Sequence, residues 1–259
     1  MPETWRPNWA MPAGSLDRWP EDYERGRPGW PRGVVEIVEV APTATVLDLG
    51  AGTGKLTRLL VAAFDRVVAV EPADAMRQML QGMCPGAEAL SGSAEAIPLP
   101  DATAGAVFAA QSFHTFDAPR AIPEIARVLR PGGAIVLLWN LPVGPWRPSA
   151  VEAEAVLEER MPNVDYIPLD LGGPAASSGW QPNVADSLFE PFQATVVPNP
   201  QTLDRDGLVA FYATMGWLAD LPDDERLPLL ARVRSLLDAD SYERSWETHV
   251  HWSHLRRSV

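Results

Sequence analysis

The run Thr45-Val46-Leu47-Asp48-Leu49 passes without a spacer into Gly50-Ala51-Gly52-Thr53-Gly54, and Leu56, Leu59, Leu60 and Ala63 then repeat at helical spacing. A strand, a glycine loop and a helix in that order demand a fold whose backbone turns sharply at the carboxyl end of a strand. Glycines at such a turn accept positive φ and let a ligand approach the main chain.

The alternation continues downstream. Strands are predicted at 45–49, 66–71, 87–90 and 105–110, with helices over about 54–64 and 73–83. This βαβ series implies an α/β fold with a parallel sheet and right-handed crossovers. Ile122, Ile125, Ala126 and Leu129 share one face of a helix that starts near Asp117, and Pro131-Gly132-Gly133 is expected to end it. Ala134–Trp139 is apolar on both faces, as a central strand should be. The sheet is expected to resume at Phe192–Val197, pass through helices near 205–216 and 224–237, and finish in a strand near Trp246–Leu255. Upstream, Val34, Ile37 and Val38 predict a short helix stopping near Pro42.

A chain of 259 residues with 46% hydrophobic content can fill one large α/β domain without staples. The single cysteine, Cys84, forms no internal disulfide, and no charged-then-apolar leader opens the sequence, so a cytoplasmic location is expected. No apolar stretch approaches the roughly 20 residues that cross a bilayer. The net charge of −13 repels a phosphate backbone, and the only tight basic cluster is Arg256-Arg257. A small-molecule partner is therefore expected, with no nucleic acid and no membrane; the oligomeric state is open.

The spacing G-x-G-x-G narrows the ligand. A dinucleotide fingerprint needs its third glycine at position 55, which is Lys55, and a phosphate-binding P-loop fails because Lys55 is followed by Leu56. Glu71 ends the second strand and is placed to accept two hydrogen bonds from ribose hydroxyls. The ligand read from these residues is a nucleoside with free ribose hydroxyls. His114, three residues after Gln111 at the end of the fourth strand, is the candidate for acid–base work, because imidazole exchanges protons near neutral pH. His249 and His251 share a strand face, but no cysteine or carboxylate pattern accompanies them or His254, and no metal site is expected.

Six segments, in order and spacing, resemble the class I S-adenosylmethionine-dependent methyltransferases, specifically the type 11 group of small-molecule enzymes. They are Tyr23-Glu24-Arg25-Gly26-Arg27-Pro28, Val46–Thr57, Ala69-Val70-Glu71-Pro72, Gly92-Ser93-Ala94-Glu95-Ala96-Ile97-Pro98, Gln111-Ser112-Phe113-His114 and Arg127-Val128-Leu129-Arg130-Pro131-Gly132-Gly133. The resemblance implies a Rossmann-like, doubly wound sheet of seven strands, the last antiparallel. It implies S-adenosyl-L-methionine as cofactor, with Asp48, Gly50, Ala51 and Gly52 at its methionine part, where the helix N-terminus would meet the carboxylate, and Glu71 and Pro72 at the ribose. Adenine falls to Ser93, Ala94 and Glu95, where the family often has an aspartate in place of Ser93, and to Met76, which reads equally as a core residue. Tyr23 and Arg27 would bring the N-terminal arm over the cofactor, with Arg27 on the methionine carboxylate, and Gln111 would stand where cofactor and acceptor meet.

Four segments follow from this reading: an arm and helix covering the cofactor site (1–43), the cofactor-binding core (44–140), a lid-like insertion (141–190) and a C-terminal completion of the sheet (191–259). Trp5, Trp9, Trp19 and Trp30 of the arm, with Trp139 and Trp146, are candidate pocket walls or packing. The expected function is methyl transfer to an oxygen, nitrogen or carbon of a small organic acceptor, in secondary metabolism, with His114 as base where a proton must leave. The competing expectation is a cyclisation or isomerisation on the same fold with bound cofactor.

Overall fold

The structure is a computed structural model that describes residues 18–143, 148–160 and 188–257. Trp5, Trp9, Trp146 and most of the expected lid lie outside those residues. The parallel half of the sheet is built from β1 (Thr45–Leu49), β2 (Arg66–Val70), β3 (Ala87–Leu90), β4 (Ala104–Ala110) and β5 (Leu129–Val143). The crossovers are α2 (Thr57–Ala63), α3 (Asp74–Met83) and α4 (Ala118–Val128), while α1 (Pro20–Gly26) precedes the sheet. Spatial order is β3-β2-β1-β4-β5-β8-β6, where β6 is Gln193–Pro198 and β8 is Ser241–His254, antiparallel to β5. The order reverses at β1 and β4, so a crevice opens beyond their carboxyl ends.

Period-two alternation sends each central strand's side chains to two apolar layers. Leu47, Leu49, Val68, Val70 and Val107 pack with Ile122 and Ile125 of α4, while Val46, Val67, Ala106 and Phe108 pack with Leu56, Leu60 and Val34 on the other face. A separate apolar cluster joins α5 (Pro148–Glu158), α6 (Arg205–Ala213), α7 (Gly216–Ala219) and α8 (Asp223–Leu236) to Tyr242 and Trp246 of β8. Val143 at the carboxyl end of β5 faces Ser245 in register, so this helical layer stands at the same end of the sheet as the crevice.

Four expectations are corrected. The sheet has eight strands, because β7 (Gln201–Asp204) pairs with β8 in the register that β6 already follows. Pro200 supplies no N–H between them and splits one long ribbon into two strands. The segment around Val34 forms a 3-10 turn, Arg32–Glu36, since Gly33 and the β-branched Val34-Val35 pair are poor helix formers. The first crossover helix starts at Thr57 instead of 54 because Gly54 lies at φ +87°. Finally, Pro131-Gly132-Gly133 does not terminate α4, which ends at Val128; it forms an irregularity inside β5, where pairing with β4 jumps from Ala104–Leu129 to Ala106–Ala134. Among the described residues no helix is long and apolar enough to cross a membrane.

Candidate active site

The glycine loop turns out of β1 with its Gly50 and Ala51 amides donating to the carbonyl of Val70 at the end of the neighbouring parallel strand β2, at 2.8 and 3.1 Å. Gly50 sits at φ +72°, and a Cβ there would lie 2.6 Å from that of Ser112. Only glycine lets the loop pass this close to the turn after β4, where the Ser112 hydroxyl donates to the Leu49 carbonyl at 2.8 Å. The loop, the end of β2 and the end of β4 are thereby drawn together at one edge.

Two acidic side chains are buried there. Glu71 accepts the Gly52 amide at 2.8 Å on Oε2 and the Ala73 amide at 2.9 Å on Oε1. Asp48 accepts the Thr57 hydroxyl at 2.6 Å on Oδ2, while its Oδ1 is buried with no hydrogen-bond partner. Burial pushes the Asp48 carboxyl up to about 7, the Thr57 hydroxyl opposing this and the Glu71 charge adding to it. A buried acceptor without a donor fits a cationic or N–H-bearing ligand, which is what the methionine part of S-adenosylmethionine offers. Glu71 is fixed by two main-chain amides, one on each carboxylate oxygen. The expected helix N-terminus contributes less: α2 has only seven residues and starts behind the loop, with Thr57 turned to Asp48.

The arm lies across this loop. Glu24 of α1 accepts the Thr53 hydroxyl at 2.5 Å and Arg58 at 2.8 Å, and Lys55 reaches its carbonyl at 2.6 Å. Tyr23 is the nearest group to the space above Gly52, at 3.9 Å from where a Cβ would stand, and burial raises its pKa. Arg27 is turned toward α6, where its Nε donates to the Thr214 hydroxyl at 2.9 Å and its guanidinium lies 5.2 Å from the Phe211 ring centre. Sequence reasoning missed Glu24 and Thr57, although both stand inside segments that carried the resemblance.

Among the residues expected at adenine and ribose, Met76 and Ala94 are buried, Pro72 is exposed and Ser93 pairs with Ala96 across a small bridge. Glu95 turns to the Asp117 amide at 2.8 Å and so ties this loop to the start of α4. At the turn after β4, Gln111 adopts φ +54°, a sparsely populated conformation for a residue with a side chain, and accepts the Asn140 amide on Oε1 at 3.0 Å. Trp139 donates its indole N–H to Nδ1 of His114 at 3.4 Å. Burial, with the Arg27 guanidinium adding to it, pushes His114 down to about 4, so the ring is neutral at physiological pH and a weak base. His251 stacks edge-on against Trp139, His249 lies 3.6 Å from Glu247, and His254 contacts the Gly132 carbonyl. Among the described residues no three His, Cys, Asp or Glu side chains gather into a metal-binding group.

Residues 47–137 match the family model described as a methyltransferase domain. An uncharacterized methyltransferase of Mycobacterium tuberculosis is 52% identical over 118 residues, covering 46% of this chain and 49% of that protein. A malonyl-[acyl-carrier protein] O-methyltransferase of Methylococcus capsulatus is 43% identical over 100 residues, 36% of each chain. The chain thus spans about half, or less, of the length of these curated relatives. A solved structure from Anaeromyxobacter dehalogenans, held to be a type II methyltransferase, superposes with TM-score 0.62 at 20% identity over 90% of this chain and 99% of that one, a likeness of fold. The glycine loop, the acidic pair Asp48 and Glu71 and the sheet order agree with that match, and residues 47–137 are similar to the methyltransferase domain of the type 11 family.

Proposed function

We propose that the protein binds S-adenosylmethionine at the carboxyl edge of β1 and β2 and transfers its methyl group to a small organic acceptor. The single observation that carries this reading is the acidic pair: Asp48 holds a buried oxygen without a donor, and Glu71 is fixed by Gly52 and Ala73 beside it. When bound, the cofactor supplies an electrophilic methyl on a sulfonium. Asp48 would receive the cationic methionine part, Gly50, Ala51 and Gly52 would line it, and Glu71 with Pro72 would hold the ribose. Ser93, Ala94, Glu95 and Met76 would border the adenine, with uncharged Ser93 leaving more of its recognition to backbone and apolar contact.

Water exclusion falls to the arm and the helical layer. Tyr23 and Glu24 stand over the loop, Arg27 joins α1 to α6, and Gln111 and His114 face the acceptor side. We assign the cover to residues 1–43 and 141–190 and the cofactor-binding core to 44–140, with 191–259 completing the sheet. The acceptor is not brought over from the malonyl-[acyl-carrier protein] O-methyltransferase, because that match covers only 36% of the chain. The net charge of −13 supports a small acceptor over nucleic acid, and a buried free Cys84 suits a reducing cytoplasm.

Incubation with methyl-labelled S-adenosylmethionine and a pool of small acceptors tests the reading. Label should pass to a product, one S-adenosylhomocysteine formed for each methyl moved. Conversion of a substrate with the label still on the cofactor would instead establish a non-methylating reaction.

A further inference from the structure

The end of the sheet opposite the cofactor crevice holds a further cleft, of about 960 Å³, between the segment after the 3-10 turn, the irregularity of β5, the last residues of β8 and the chain entering β6. About 20 Å of β5, from Ala134 to Asn140, separates it from the turn that carries Gln111. Two sequence features that the cofactor site leaves unused meet there: Gly132 of the Pro131-Gly132-Gly133 run, and the Arg256-Arg257 pair.

Gly132 sets the geometry. It lies at φ +79°, and a Cβ there would stand 3.1 Å from Nε of Arg257 and 3.8 Å from its Cζ, so the guanidinium rests against bare glycine. The carbonyl of the same residue accepts from Nδ1 of His254 at 3.2 Å, which brings the imidazole to the same point. Glu190 is fixed to β8 by its main chain, its amide donating to the His254 carbonyl at 2.9 Å and its carbonyl accepting the Ser253 hydroxyl at 2.6 Å. Glu39 enters next to Val38, which is buried in the core, and half-buried Trp252 and Leu255 add apolar surface. Arg257, Glu39 and Glu190 thus line one cleft, yet among the described residues none of the three forms an ion pair.

We infer that this cleft binds a small zwitterion with an apolar body, its anionic group on Arg257, its ammonium on Glu39 and Glu190, and its body against Trp252. A purely anionic ligand would face two carboxylates, and a purely cationic one two guanidiniums. An uncharged ligand would strip water from both signs and replace it with nothing. Only a ligand that carries both charges satisfies both walls, and Arg257 offers a carboxylate paired donors. The inference does not depend on the cofactor reading.

The test titrates L-phenylalanine, phenethylamine and 3-phenylpropanoate into the full chain, followed by NMR of the Trp252 indole N–H. Phenylalanine should move that resonance and bind about fivefold tighter than either singly charged probe. The charged side chains are exposed, so their variants should fold. Arg257→Ala should bring phenylalanine down to the level of phenethylamine, and Glu39→Gln combined with Glu190→Gln down to that of 3-phenylpropanoate. Saturation with S-adenosylhomocysteine should leave these affinities unchanged. Equal binding of the three probes, no shift at Trp252, or a preference that survives in both variants overturns the inference. Competition by S-adenosylhomocysteine also overturns it, because the probe would then sit in the cofactor crevice.

Discussion

The Glu24 carboxylate of α1 takes the Thr53 hydroxyl of the glycine loop at 2.5 Å, so the arm and the proposed cofactor loop behave as one unit. Arg58 binds the same carboxylate at 2.8 Å, which keeps Glu24 in place once Thr53 is bound. Glu24→Ala should leave the sheet folded, loosen α1 and weaken S-adenosylhomocysteine binding by about 1–2 kcal/mol. Hydrogen exchange over residues 20–27 with a parallel titration checks this. Unchanged protection and affinity would show that the arm is held elsewhere.

Gly26 is the other fixed point of the arm. A Cβ at this position would stand 2.2 Å from the Phe211 amide nitrogen, a backbone atom of α6 that cannot swing aside. Gly26→Ala should therefore destabilise the protein by about 2–4 kcal/mol, read from denaturant midpoints. A loss under about 0.5 kcal/mol would mean that α1 and α6 separate freely.

Asp48 gives the pH dependence its sign. Its folded pKa, about 7, lies above the ordinary aspartate value, so its contribution to stability is fully present below about pH 4 and is lost as pH rises through 7. A cationic ligand reverses the preference, because it favours the ionised carboxylate. Affinity for S-adenosylmethionine should thus rise between pH 5.5 and 8, with proton release on binding near pH 7. Asp48→Asn should raise the melting temperature at pH 8 by a few degrees, weaken binding and abolish the proton release. Calorimetry in buffers of different ionisation enthalpy measures that release, and its persistence in Asp48→Asn would move the titrating group elsewhere.

His114 should not titrate in the physiological range. Its folded pKa of about 4 lies below that of free imidazole, so the contribution it makes is present above about pH 6.5 and is lost as pH falls through 4. Imidazole proton shifts followed by NMR should stay flat between pH 5.5 and 8. Replacing His114 with Ala should reduce turnover more than it reduces cofactor affinity, and equal small effects on both would make the residue structural.

The parallel core was legible because its signals are local. Apolar runs such as Thr45–Leu49 and Arg66–Val70 are bounded by loops, and helical periodicity lies between them. The pairing of β7 with β8 was not, because a four-residue strand beside Pro200 has no period of its own, and its partner lies some forty residues downstream. Pro131-Gly132-Gly133 read as a helix stop because the same residues also suit a strand irregularity, and only pairing with β4 decides between them. At the site, Glu71 and the glycines could be named from a strand end and from loop spacing, whereas Asp48 came only from the family resemblance. The roles of Glu24 and Asn140 depend on contacts between elements far apart in sequence, and neither residue type advertises them.

Whether Asp48 and Glu71 mark an S-adenosylmethionine site is decided by titration calorimetry of S-adenosylhomocysteine into the wild-type chain and Glu71→Ala. The wild type should bind saturably and one to one, with affinity weakened by about 1–3 kcal/mol when the ribose acceptor is removed. Folded wild-type protein that gives no binding heat and no shift in melting temperature with the ligand would contradict it.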